Sequence, residues 1–259
     1  VANDARENKS LRGPEFSVHD VKSHQTIFSR EMRSEHLLPV LEFSPNGRQL
    51  AWFTGADAVL LDADNGKEVI KFPVRLTAEK TLAEMAYSST GDQMAFATVN
   101  TVLGENQRFD LNVGIFDSRT GTQVKKLAVR AFATQELSKN SRALVRKIRF
   151  GRGDRQMAVA VTFFEPQEMK STDFTSEVHV WDLDAEKHTV ASFPYMINDM
   201  AFHHDGRLAT GGGAEIAGHV ELTDLEKKHS SVRFVGHTRP TYGVAFNRDG
   251  SRLVTAGGD

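Results

Sequence analysis

The feature that most limits what this chain can become is a short pattern that returns along most of its length. An alternating apolar run meets a turn, and a second run follows. Val40, Leu41 and Phe43 lead to Pro45-Asn46-Gly47, then to Leu50, Ala51 and Trp52. Asn-Gly between alternating apolar runs is a strong hairpin signal, because glycine accepts the positive φ that such a turn needs. A third strand, Val59 to Asp62, and the turn Asp64-Asn65-Gly66 lead on to an outer strand from Glu68 to Phe72. The pattern returns at Met85, Tyr87, Gly91 and Met94 with Val113, Ile115, Asp117 and Gly121. It returns again at Ile148, Phe150 and Met157 with Val178, Val180, Trp181 and Asp182, and at Met200, Phe202, Gly206 and Leu208 with Val220, Leu222 and Asp224. A four-stranded sheet of this kind cannot bury both faces alone, and stacking several side by side is what covers them.

The two ends each carry half of the pattern. Residues 16–28 read as two short strands, FSVHDV and QTIFS, with Asp20 at the end of a third-strand equivalent. Residues 234–259 hold Gly236-His237, the run Val244 and Phe246, a turn at Asp249-Gly250, a return run from Leu253 to Ala256, and Gly257-Gly258-Asp259. That order resembles the first half of a WD repeat, the unit of one β-propeller blade. The first-strand aromatics Phe43, Tyr87, Phe150, Phe202 and Phe246 recur 44 to 63 residues apart, which suits blades of roughly 40–45 residues with insertions.

The resemblance implies an all-β fold, a β-propeller of four-stranded antiparallel blades with about five blades represented, four complete and two halves. Residues 1–15 are read as a linker or disordered end, and residues 16–259 as the propeller. The chain starts at Val1 and stops inside the motif at Asp259, so it is read as part of a larger ring. The alternative is a five-bladed ring in which residues 16–28 pair with 244–256. In the family, the His of Gly-His, a Ser or Thr of the second strand, an Asp of the next turn and the Trp of Trp-Asp form a hydrogen-bonded set. The resemblance assigns the first three roles to His237, Thr255 and Asp259. The Trp position holds Trp181 in one blade and Leu61, Phe116 and Thr223 in the others. The closing aspartates Asp62, Asp117, Asp182 and Asp224 are read as structural, accepting hydrogen bonds from turn amides.

A net charge of −2 leaves no global footprint for nucleic acid or anionic lipid, so nucleic acid is not the expected partner. The absence of cysteine removes disulfides, thiolate metal sites and a thiol nucleophile together. No apolar run approaches the roughly 18–20 residues of a membrane helix. The compartment stays open, with the cytoplasm the expectation where no signal segment is visible. Neither the α/β-hydrolase elbow, the zincin motif, the P-loop nor the dinucleotide fingerprint occurs, and no cofactor or metal is expected. Four weaker constellations have plainer readings. Asp62 to Gly66 has a misplaced glycine for a calcium loop and reads as a hairpin turn. His203-His204 lacks a second ligand pair. Gly211-Gly212-Gly213 has no helix after it and reads as a flexible turn. The basic run Lys139, Arg142, Arg146, Lys147, Arg149, Arg152 and Arg155, opposed only by Asp154, reads as a solvated face.

The insertions carry the functional signal. Residues 100–110, 163–176 and 130–142 lengthen the second and third blades, and in a propeller of this kind all three emerge on one rim. Long loops on a rigid scaffold are where binding usually resides. Arg108, Phe109, Phe132, Phe163, Phe164, Met169 and Phe174 are the candidate contact residues for a protein partner. The expected function is a non-catalytic WD-repeat-like interaction scaffold. The alternative is an accessory or substrate-gating propeller of a larger enzyme. Chemistry in a central channel is disfavoured, because the innermost strands read mainly Val, Ile, Met, Phe and Ala.

Overall fold

The computed structural model describes residues 15–31, 40–53, 58–74, 80–102, 108–132, 140–151, 153–165, 174–214, 217–227 and 230–259. Among the described residues every element is a strand. An N-terminal hairpin, β1 (Glu15–His19) and β2 (Thr26–Glu31), precedes four meandering sheets. The first is β3 (Val40–Phe43), β4 (Gln49–Phe53), β5 (Ala58–Asp62) and β6 (Glu68–Phe72). The second is β7 (Lys80–Tyr87), β8 (Gln93–Val102), β9 (Arg108–Asp117) and β10 (Gln123–Phe132). The third is β11 (Arg142–Gly151), β12 (Gln156–Phe164), β13 (Thr175–Asp182) and β14 (Lys187–Phe193). The fourth is β15 (Ile197–Phe202), β16 (Leu208–Ala214), β17 (Ala217–Asp224) and β18 (Ser230–Phe234). A C-terminal hairpin, β19 (Thr241–Phe246) and β20 (Leu253–Gly257), ends the chain. All pairings are antiparallel between consecutive strands, and the successive first strands β3, β7, β11, β15 and β19 adjoin one another. The sheets therefore fan out from their first strands, which is the β-propeller arrangement.

Side-chain alternation explains the stacking. Strand neighbours point to opposite faces, so β8 sends Met94 and Phe96 toward the first sheet and Ala95, Ala97 and Val99 toward the third. Both faces are covered, and Met94 to Val99 are buried without a break. The core between the second and third sheets is filled by Leu111, Val113, Ile115, Val145, Ile148, Met157, Val159 and Trp181, among others. Ala158, Ala160, Val178, Val180 and Phe193 meet Ile197, Met200 and Leu208 of the fourth. Phe16, Val18 and Phe28 of the N-terminal hairpin pack on Leu50, Val59 and Leu61 of the first.

Length differs sharply between sheets. The strands of the first sheet have 4 or 5 residues, whereas β8 to β11 have 10 each and β12 has 9. The sequence insertions thus partly prolong strands that it marked as loops. Gly211-Gly212-Gly213 corrects another expectation, for it lies inside β16 and is buried. A Cβ on Gly211 would come within 2.6 Å of Val244 Cγ1 and 3.0 Å of Thr241 Cγ2, and one on Gly212 within 1.9 Å of the Met196 carbonyl oxygen. Close approach of the C-terminal hairpin at Gly211, and of the sheet's own backbone at Gly212 and Gly213, accounts for these glycines rather than turn flexibility.

The two terminal hairpins form separate two-stranded sheets, and no ladder joins them among the described residues.

Candidate functional site

The aspartates at the ends of the third strands do the same work in every blade. Asp62 accepts the amides of Asp64 at 2.9 Å and Asn65 at 3.2 Å. Asp117 accepts those of Arg119 and Thr120, Asp182 those of Asp184 and Ala185, and Asp224 those of Glu226 and Lys227. Asp20 repeats the pattern with Lys22 and Ser23, which marks β1 as a third strand. Amide donation to the charged form, from Thr120 above all, holds the Asp117 carboxyl below the usual range. These carboxylates are spent on their turns.

The terminal motif is assembled too. His237 Nε2 lies 2.9 Å from Thr255 Oγ1, and its Nδ1 lies 2.8 Å from Asp259 Oδ1. The Thr238 amide donates to Asp259 Oδ2 at 2.8 Å. This amide and the His237 ring hold the Asp259 carboxyl down at about 2. Gly236 precedes the set in an exposed, open position. His203 is structural as well: it is buried, with Asp205 Oδ1 at 2.6 Å from Nδ1 and the Gly250 carbonyl at 3.1 Å from Nε2. It ties the fourth sheet to the C-terminal hairpin.

The candidate contact residues divide. Phe109 and Phe163 are 2% and 3% exposed, with ring centroids 5.5 Å apart in the core between the second and third sheets. They are not surface aromatics, because the prolonged strands carry them inward and alternation turns them toward each other. Arg108 is half exposed, with Nε 3.7 Å from Asp110 Oδ1. Phe164 and Phe174, both half-buried, pair at 6.2 Å where β12 ends and β13 begins. Phe132 pairs through its backbone with Phe109. Met169 lies outside the described residues.

The sequence reading missed a charged group on the inner strands. Arg146, Lys147 and Arg149 of β11 belong to the run read as a solvated face, yet all three are partly buried. Arg149 Nη2 lies 3.1 Å from Asp199 Oδ1 and Lys147 Nζ lies 3.9 Å from it, while Asp199 Oδ2 accepts the Val244 amide at 3.1 Å. Arg146 donates to the Ile197 carbonyl at 3.2 Å and to Asn198 Oδ1 at 2.8 Å. Glu42 and Glu84, on β3 and β7, face the same cations. Burial raises both carboxyls, against the attraction of Lys147 and Arg149, and Glu42 raises Glu84 further. Burial also lowers Arg146. The signal lay in the register. Counted back from the first-strand aromatics, Glu42 and Arg149 share one position, and Glu84, Lys147 and Asp199 share another. The apolar residues between them hid the pattern.

Fold and repeat chemistry together define a divergent WD-repeat-like β-propeller. Residues 228–259 match the WD domain, G-beta repeat family. No curated protein matches the chain. Among solved structures it is similar to a eukaryotic initiation factor, with 15% identity over 94% of this chain and a TM-score of 0.47. It spans 57% of that protein's chain. It is similar to a putative TolB from Agrobacterium tumefaciens, with 12% identity over 93% of this chain and 86% of that one, TM-score 0.47. It is likewise similar to BamB from Moraxella catarrhalis, with 11% identity over 94% of this chain and 78% of that one, TM-score 0.47. Such propellers commonly mediate protein interactions. Among the described residues, no helix is long and apolar enough to cross a membrane.

Proposed function

We propose that this propeller is a non-catalytic platform for a protein partner, and that its contact surface is the prolonged end of the second and third blades. The observation that carries this reading is the difference in strand length. Ten-residue strands raise one end of two neighbouring blades above the rest, and a buried Phe109–Phe163 pair stiffens the base of that projection. Arg108 at the start of β9 and the half-buried Phe164–Phe174 pair then offer a cation and two aromatic rings on a rigid support, a composition suited to protein interfaces. Phe109 and Phe163 support the surface from beneath.

The test compares the parent chain with a Phe164→Ala/Phe174→Ala variant as bait for partner capture from native lysate. Circular dichroism first establishes that the variant folds. A protein retained by the parent and lost by the variant is the expected result. Identical recovery by both baits refutes this placement of the surface.

A further inference from the structure

The residue before each closing aspartate occupies the seam with the preceding blade. Leu61 packs there with Phe28 of the N-terminal hairpin. Phe116 meets Phe72 at 5.5 Å across the next seam. Trp181 belongs to the core shared with the second sheet, where Leu127 and Val129 also pack. In the fourth sheet the same position holds Thr223. Its β-sheet partner is Leu208, as Leu50, Met94 and Met157 are the partners of Leu61, Phe116 and Trp181. The register is therefore unchanged, and only the side chain has shrunk.

A cleft opens at this seam. It has a volume of about 350 Å³ and is lined by Lys187, Thr189, Val190 and Ala191 of β14, of which Thr189 and Ala191 share the face turned toward the fourth sheet, and by Thr223, Leu225 and Glu226 across from them. That volume lies in the range of roughly 300–1,000 Å³ typical of sites for small organic groups. Thr223 is 3% exposed and its hydroxyl has no hydrogen-bond partner among the described residues. Rotation about its Cα–Cβ bond exchanges hydroxyl and methyl at the cleft wall. Buried polar groups ordinarily find partners.

We infer that this cleft is an anchor site for the indole of a tryptophan side chain presented by a partner protein. The ring takes the place that Leu61, Phe116 and Trp181 fill from within at the other three seams, lying between Thr189, Ala191 and Leu225. Its N–H donates to the Thr223 hydroxyl, and Lys187 and Glu226 flank the mouth. From the platform reading this takes only that the partner is a protein. It places a contact on the outer seam of the third and fourth blades, away from the prolonged end.

The experiment is a titration of the whole chain with indole and with 1-methylindole, followed by ¹H–¹⁵N NMR. Saturable shifts confined to Val190, Ala191, Thr223, Leu225 and their neighbours are expected. In Thr223→Trp the chain fills its own seam, so the shifts vanish and the thermal midpoint rises. Thr223→Val keeps the volume but removes the acceptor, so indole binding weakens severalfold to the level of 1-methylindole. Thr189→Trp blocks the cleft from the opposite wall, since Thr189 shares the face of β14 that Ala191 turns toward the fourth sheet, and it gives the same loss should Thr223→Trp not fold. The inference is overturned by an absence of saturable shifts at these residues, or by indole binding that persists unchanged in both blocking variants. Because the titration reads the cleft directly, it stands or falls separately from the capture experiment.

Discussion

His237 reaches two partners at once, Thr255 through one ring nitrogen and Asp259 through the other, and the three close the approach to β19. The resemblance supplied those three positions; the distances are the structure's. Asp259 makes the set responsive to acid. Its carboxyl is held at about 2 against an ordinary 3.8, by the Thr238 amide first and then by His237. A lowered carboxyl contributes stability that is complete above the ordinary value and is lost as pH falls through it toward about 2. Hydrogen exchange of the Thr238 amide should therefore lose protection between about pH 4 and pH 2, and Asp259→Asn should abolish that step. Constant protection across this window would refute the assignment. The closing aspartates were legible for a plain reason: a carboxylate at a strand end has turn amides within two or three residues, so local sequence determines its partners.

The prolonged blades show where local reading fails. A run such as residues 100–110 has few continuous apolar stretches, and nothing within it indicates that Phe109 will meet Phe163 in the neighbouring sheet. That contact is made across 54 positions of chain, between strands of different blades. Truncating a fully buried phenylalanine costs about 3–5 kcal/mol, so Phe163→Ala should lower the urea midpoint strongly, whereas Phe164→Ala should leave it nearly unchanged. Equal effects would contradict the buried placement of Phe163. The inner strands make the same point with charge. Glu42 and Glu84 carry raised carboxyls, chiefly from burial. A raised carboxyl favours the folded state below its unfolded value, and that contribution is lost as pH rises through the folded value. Glu84→Gln should therefore raise the thermal midpoint at pH 7, with the gain shrinking toward pH 4. A loss of stability at pH 7 would mean that Lys147 and Arg149 need Glu84 more than burial penalises it.

At the scale of the whole molecule, the halves at the two ends are complementary. β19 and β20 are first and second strands, and the Asp20 turn identifies β1 as a third. Extending the register of the complete sheets, in which Ala51 faces Leu60 and Ala158 faces Val180, would set Val254 opposite Val18. Val254 is instead 66% exposed, and Phe43 at the other end is 50% exposed. We propose that the chain is an open arc. The test is a Val18→Cys/Val254→Cys variant, made simple by the absence of native cysteine. Mild oxidation should give no intramolecular disulfide. A fast-migrating crosslinked monomer would show that the ring closes upon itself.

The order of the strands and the Asx turns that close the third strands were determined by the sequence alone, because each rests on a period of two and on residues a few positions apart. The partners of β19 show what was not. Three glycines in β16 look like a loop until Val244 and Thr241 come within about 3 Å of where a side chain on Gly211 would stand, and the Met196 and Ala217 carbonyls crowd Gly212 and Gly213. Arg149 looks solvated until Asp199 of the next blade arrives beside it. Thr223 looks like an ordinary strand residue until the seam that its counterparts fill is left open. Each depends on what a neighbouring blade brings to within a few ångströms, and only the tertiary structure decides that distance.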